Sequence, residues 1–247
     1  MKLIFTFDDG RIDSYEASQI LKKHGICGSF FITTGFVDGS FKTTVFGDNR
    51  KPLTCEMLLK MKNDGHEIAS HGDKHLTNCG DFETSYYKLR EWELCDQKVG
   101  FSVPNSKASF DELASFYNNE KTRISYIRSG RNKHCYTFLN KIRYVLFRFL
   151  KSQFLFNRFN KSNLIFNSSK TFFFNSVVVK SDVKSKNIIK FLKKYSSLDC
   201  ALILMFHSIV DKPANVWEYS KDAFETICGY ASRDKKIEII TMRELMK

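Results

Sequence analysis

Short apolar runs alternate with segments of helical period along almost the whole chain. Leu3 to Phe7 reads as a strand, and so do Ser29 to Thr33, Glu67 to Ser70 and Gly100 to Val103. Ile124 to Ile127, Ser176 to Val179, Ala201 to Phe206 and Glu238 to Ile240 complete that set. Helices are predicted between them. Asp13 and Glu16 form a capping pair for a helix over Ser14 to His24, stopped by Gly25. Thr54 caps a helix to about Asn63, and a third covers Phe82 to Asp96. Ser109 with Glu112 is a capping box for a helix to Tyr117. Lys186 to Tyr195, Lys221 to Ala231 and a last helix capped by Thr241 and Glu244 follow.

Strand followed by helix, repeated about eight times, predicts an α/β protein with a mostly parallel sheet. In 247 residues this fits one domain, 1–247, built as a distorted TIM-barrel-like (β/α) barrel of seven or eight strands. A doubly wound open sheet is the alternative. No glycine-rich phosphate loop follows the first strand, which disfavours a nucleotide-binding sheet.

Composition changes this picture in two places. The chain opens directly into its first strand, without the basic start, apolar stretch and cleavage site of a secretory leader. Together with seven cysteines, none in Cys-x-x-Cys spacing, this predicts a cytoplasmic protein with reduced thiols. The net charge of +12 is also unevenly placed. Between Glu120 and Asp182 there are thirteen Lys and Arg and no acid, which leaves the rest of the chain close to neutral.

The candidate chemistry gathers at predicted strand ends. Asp8 and Asp9 follow the first strand, His71 the third, Pro104 and Asn105 the fourth, and His207 the seventh. In a parallel barrel all these ends share one face. His71 and His75 are four apart, a spacing that sets both imidazoles on one face of a helical turn. Two histidines and a carboxylate, with positions left for water, suit a catalytic divalent ion such as Zn²⁺. A second carboxylate then serves as base and a histidine as acid.

These residues resemble the polysaccharide deacetylases, the NodB-homology proteins of carbohydrate esterase family 4. The resemblance rests on Thr6-Phe7-Asp8-Asp9-Gly10, on His71-x-x-x-His75 and on the apolar strand ending in His207. It extends through Gly28-Ser-Phe-Phe-Ile32, Asn63-Asp-Gly-His-Glu-Ile68 and Phe224 to Leu245, and leaves out about 135–175. It implies a metal-dependent hydrolase that removes acetyl groups from an N-acetylated sugar or glycan. The implied cofactor is Zn²⁺, with Co²⁺ or Ni²⁺ as alternatives. By the same resemblance Asp9, His71 and His75 would bind the metal, Asp8 would be the base and His207 the acid. The N–H after Pro104, that of Asn105, would face the carbonyl oxygen. Two departures stand out. The third family motif carries an arginine that orients the base, absent from Phe101-Ser-Val-Pro-Asn105; Arg128 and Arg131 are the candidate replacements. The fourth carries an aspartate that tunes the acid, for which Asp182 is the candidate.

The segment 136–170 holds seven Lys and Arg, no acid, and many Phe and Leu. On a helical wheel Lys141, Arg148, Lys151 and Arg158 oppose Phe138, Ile142, Val145, Leu146 and Phe149. Such a helix suits peripheral association with an anionic membrane at its inner face, or a cover over the barrel. Nucleic acid is the disfavoured partner, since the charges accompany a broad apolar face rather than a stacking platform. A lipid-linked or cytoplasmic glycan precursor is the substrate that a membrane-facing enzyme would meet. The competing readings are another metal-dependent amide or ester hydrolase, or a weakly active barrel kept as a carbohydrate- or membrane-binding module.

Overall fold

The computed structural model describes residues 1–42, 51–106, 108–130, 142, 145–146, 150, 152–167 and 171–247. Its strands are β1 (Lys2–Phe7), β2 (Ser29–Ile32), β3 (Glu67–Ser70), β4 (Val99–Ser102), β5 (Ile124–Ser129), β6 (Phe173–Asn175), β7 (Val177–Val178), β8 (Ala201–Phe206), β9 (Ser208–Val210), β10 (Glu218–Ser220) and β11 (Glu238–Ile239). The described helices are α1 (Asp13–Lys23), α2 (Thr34–Val37), α3 (Cys55–Asn63), α4 (Cys79–Glu91), α5 (Phe110–Glu120), α6 (Gln153–Asn160), α7 (Ser185–Tyr195), α8 (Lys221–Ala231) and α9 (Met242–Leu245).

The main sheet is parallel and runs β6-β5-β4-β3-β2-β1-β8-β7. Only Ser176 separates β6 from β7. Its N–H and its hydroxyl both donate to the Ser129 carbonyl. One short strand therefore pairs with β5 in its first half and with β8 in its second, and the sheet closes on itself. β11 pairs with the start of β1 while β2 pairs with its end, so the sheet splits beside β1. This is the distorted barrel that the strand–helix alternation predicts.

β1 and β8 bury nearly every residue, as expected of parallel strands covered on both faces. Phe5, Phe7, Phe30, Phe206 and Phe224 pack together through stacked and edge-to-face contacts. At the floor, the buried Glu67 carboxylate accepts from the Ser29 and Tyr126 hydroxyls and from the Arg243 N–H. Burial pushes this carboxyl above its ordinary range. Gly100 is needed here, because a Cβ at that position would sit 2.1 Å from the Tyr126 ring.

The capping predictions divide instructively. Thr54 accepts from Met57, and the boxes at Ser109/Glu112 and Thr241/Glu244 are complete. Asp13 is not a cap: α1 begins at Asp13 itself, with Ile12 at the N-cap position, so the acid lies in the first turn. α4 starts earlier than expected because Asn78 caps it. The parallel pair β9 and β10 was not anticipated.

Candidate active site at the barrel mouth

Asp8 and Asp9 leave β1 by a sharp turn. Two successive residues of an extended strand point to opposite faces. Here Asp9 takes φ 80° and Gly10 φ 83°, a turn after which Asp9 faces His71 and His75 while Asp8 faces Arg128. Both carboxylates are buried, at 3% exposure each. For a non-glycine residue this backbone region is uncommon, and aspartate is among the few that tolerate it.

His71 ends β3, and its N–H donates to the Ile32 carbonyl. Its Nδ1 lies 2.9 Å from the Ser102 carbonyl, which can only accept. That contact puts the proton of the neutral ring on Nδ1 and turns Nε2 toward Asp9. The helical turn expected between His71 and His75 is not present: residues 71–76 form a loop, with Gly72 at φ 82° and His75 at φ 59°. The loop still brings the two rings together, with Nε2 atoms 3.1 Å apart. Asp9 Oδ1 is 3.5 Å from Nε2 of His71 and 3.8 Å from that of His75.

These three separations test the site for a cation. Ligands at about 2.0–2.1 Å from a tetrahedral Zn²⁺ lie about 3.3 Å apart. Edges of 3.1, 3.5 and 3.8 Å bracket that value. The donor atoms of Asp9, His71 and His75 form the group among the described residues that could hold a metal ion. Their protonation suits it. Burial raises the Asp9 carboxyl, but the hydrogen bond from His71 and the charges of His207, His71 and Arg11 outweigh it, holding Asp9 below the usual range. Burial and the neighbouring His71 depress His75 to about 4, so this imidazole is neutral and able to ligate at neutral pH. Burial also disfavours a charge on His71, but Asp8 and Asp9 overcome it and raise its pKa. A bound cation would displace that proton.

Asp8 faces the other way, onto Arg128 of β5. The Arg128 guanidinium donates through Nη2 to Asp8 Oδ1 and, at 2.6 Å, to the Ser102 hydroxyl. It also lies over the Phe31 ring at 4.7 Å. Arg128 is 1% exposed. The register shifts between β4 and β5, so that two residues of β4 span three of β5, and Arg128 comes opposite Ser102. Of the two candidate replacements for the missing arginine, Arg128 thus touches the expected base. Arg131 lies outside the described residues.

His207 sits between β8 and β9. Burial lowers its pKa; Asp9 and Asp8 oppose that shift, while Arg11 and His71 add to it. Its Nδ1 is buried without a hydrogen-bond partner among the described residues. Asp182 falls in the turn after β7. Trp217 packs on His207 at 4.7 Å between ring centroids, and Lys180 Nζ lies 4.0 Å from the centre of the Trp217 ring. Pro104 and Asn105 form a tight turn after β4, with Asn105 at φ 55°. With His75, Leu76, Thr77, Ala108, Glu112 and Phe116 they line a cleft of about 360 Å³ beside the cation site.

Three residues of this site escaped sequence reasoning. Ser102 joins its two halves, through its carbonyl to His71 and its hydroxyl to Arg128 and Asp8. Arg11 pairs with Asp9 at 3.5 Å and donates to the Ser208 hydroxyl. It directly follows Asp8-Asp9-Gly10, which was a signal available to reading. Nothing local marks Trp217.

The class that this fold and this site define is that of (β/α)-barrel proteins with two histidines and a carboxylate gathered at the mouth in an arrangement that could hold a cation. Residues 2–101 match the family model described as polysaccharide deacetylase. That match covers less than half of the chain. Among solved structures, the chain resembles the Bc1960 peptidoglycan N-acetylglucosamine deacetylase, with 14% identity, 99% of this chain and 87% of that one covered, and a TM-score of 0.54. It also resembles BA3943 from Bacillus anthracis, a CE4 family pseudoenzyme, with 11% identity, 100% and 65% covered, and a TM-score of 0.52. A mutant of BA3943 with restored enzymatic activity gives 11% identity, 100% and 67% covered, and a TM-score of 0.54. The chain spans about two thirds of the pseudoenzyme's length, and at these identities the likeness is one of fold. No curated protein matches the sequence.

Proposed function

We propose that the protein is a metal-dependent deacetylase that hydrolyses the acetamido group of an N-acetylated sugar. The observation that carries this reading is the Asp9–His71–His75 triangle beside a second carboxylate, Asp8, held by Arg128. A bound divalent ion would polarise the carbonyl and make water more acidic. Asp8 takes the proton of the attacking water, and the Asn105 N–H donates to the carbonyl oxygen as it gains charge. His207 protonates the leaving nitrogen. The carbon–nitrogen bond breaks, a carbon–oxygen bond forms, and the products are acetate and the amino sugar. Arg128 replaces the family's arginine from the neighbouring strand, and Ser102 keeps the base and His71 in fixed relation.

The test is acetate release from N-acetylglucosamine oligosaccharides. Metal-stripped protein is expected to be inactive, and Zn²⁺ or Co²⁺ to restore release. Tight metal binding without acetate from any acetylated sugar would favour a carbohydrate-binding barrel instead.

We also propose that the enzyme meets its substrate at an anionic membrane. Ile142, Val145, Leu146, Leu150, Phe154 and Phe166 are each at least 40% exposed. A helical cover over the barrel would bury such residues, so their exposure favours the membrane reading. The opposed charges at Lys141, Arg148 and Lys151 lie outside the described residues. Arg158, on α6, and Lys161, just past its end, are described and exposed, and Phe156 seats that helix against Phe191. No described helix is long and apolar enough to cross a membrane, so contact would be peripheral. The protein is expected to float with vesicles containing phosphatidylglycerol but not with phosphatidylcholine alone. The double variant Leu146→Glu, Leu150→Glu should stay at the bottom. Native protein that remains at the bottom with both vesicles would end this proposal, and so would concentration-dependent dimers that the double variant abolishes.

A further inference from the structure

His71 directly follows a strand, whereas His75 lies in a loop, and the geometry points to Asp81 as the residue that sets it. Asp81 lies in the first turn of α4, outside the cation triangle. Its Oδ2 accepts from the N–H groups of Asp73 and Leu76, both at 3.0 Å. Its Oδ1 accepts from the N–H of Lys74 at 2.7 Å. Three of the backbone donors between the two histidines and just beyond them thus converge on one carboxylate. The chain can wrap this tightly only because residue 72 is glycine: a Cβ there would come within 2.2 Å of Asp81 Oδ2. The αL conformation of His75, unfavourable for that residue on its own, lies inside the same wrap.

A second set of contacts braces the loop from outside. Asp73 accepts from the Thr34 hydroxyl at 2.8 Å and pairs with Lys88 at 2.7 Å. The Gly35 N–H donates to the Asp73 carbonyl. Thr34 and Lys88 belong to α2 and α4, so both helices grip residue 73. These contacts place the loop as a body. Asp81 bonds on both sides of His75, at Lys74 and at Leu76, and so fixes where the imidazole points. Asp81 acts through His75 and is a positioning residue. This inference rests on the metal reading of Asp9, His71 and His75.

The test is Co²⁺ binding, read by absorption spectrum and by chelator competition, beside thermal melting. Asp81→Ala is expected to bind Co²⁺ about 10- to 100-fold more weakly. Its spectrum should shift toward that of His75→Ala, as the ion loses a nitrogen ligand. Asp81→Asn keeps the volume and one acceptor oxygen, and should fall between Asp81→Ala and native; it also serves if the alanine variant folds poorly. Glu67→Gln, at the barrel floor, controls for a merely structural role: it should lower the melting temperature and leave the Co²⁺ spectrum unchanged. Native-like affinity and spectrum in Asp81→Ala would overturn the positioning role while leaving the metal site standing. Failure of the native protein to bind Co²⁺ would overturn the metal reading, and this inference with it.

Discussion

Replacing Asp8 by asparagine should reduce acetate release by about 100- to 10,000-fold, the range of a lost general base. Asparagine keeps the volume and one acceptor for Arg128, so the barrel mouth keeps its shape. It cannot take a proton from water. Metal binding should survive, because the cation triangle uses Asp9 rather than Asp8. Single-turnover acetate release with saturating Zn²⁺ is the measurement. Equal rates in variant and native protein would show that the proton goes elsewhere, and the assignment of the base would fail.

Arg128→Met should have the largest effect on stability. Methionine roughly preserves the packing over Phe31 but removes the charge that faces Asp8. The pair is buried on both sides, with side chains at 1% and 5% exposure. Breaking such a pair by removing one partner costs about 3–5 kcal/mol, because a charge is left in a poor solvent. For a domain of this size that is a fall of roughly 6–20 °C in melting temperature. The double variant Arg128→Met, Asp8→Asn should be less destabilised than the sum of the two single changes, since it leaves no lone charge. Urea denaturation of the four proteins decides it. A loss below about 1 kcal/mol in Arg128→Met would mean that the pair is solvated or otherwise compensated.

Both predictions concern a contact between residues 120 positions apart, and that separation marks the limit of what the sequence discloses. The strand–helix alternation was legible, as were the caps at Thr54, Ser109 and Thr241, because each depends on neighbours in the chain. Asp8-Asp9 and His71-x-x-x-His75 were legible as types in a pattern. Their geometry was not. The spacing of the two histidines suggested a helical turn, whereas the loop is decided by Asp81, six residues beyond His75, and by a glycine that admits it. Arg128 could be named only as one of two candidates, since choosing it requires the shifted register between β4 and β5. Ser102 could not be named at all: a serine on a strand becomes important only when its two faces are known.

The seam at Ser176 also has a structural consequence. The basic segment leaves the barrel after β5 and returns before β6, so it is spliced into the strand that closes the ring. At its far end, Ile165 is bridged to Ala201 at the foot of β8, the other strand of the seam. The joint is held on the β5 side by β6 and Ser176, and on the β8 side by β7 and the Val179 N–H, which donates to the Met205 carbonyl. Ser129, whose carbonyl anchors the joint, is the chain neighbour of Arg128, so the closure of the ring and the seat of Asp8 meet at one point of β5.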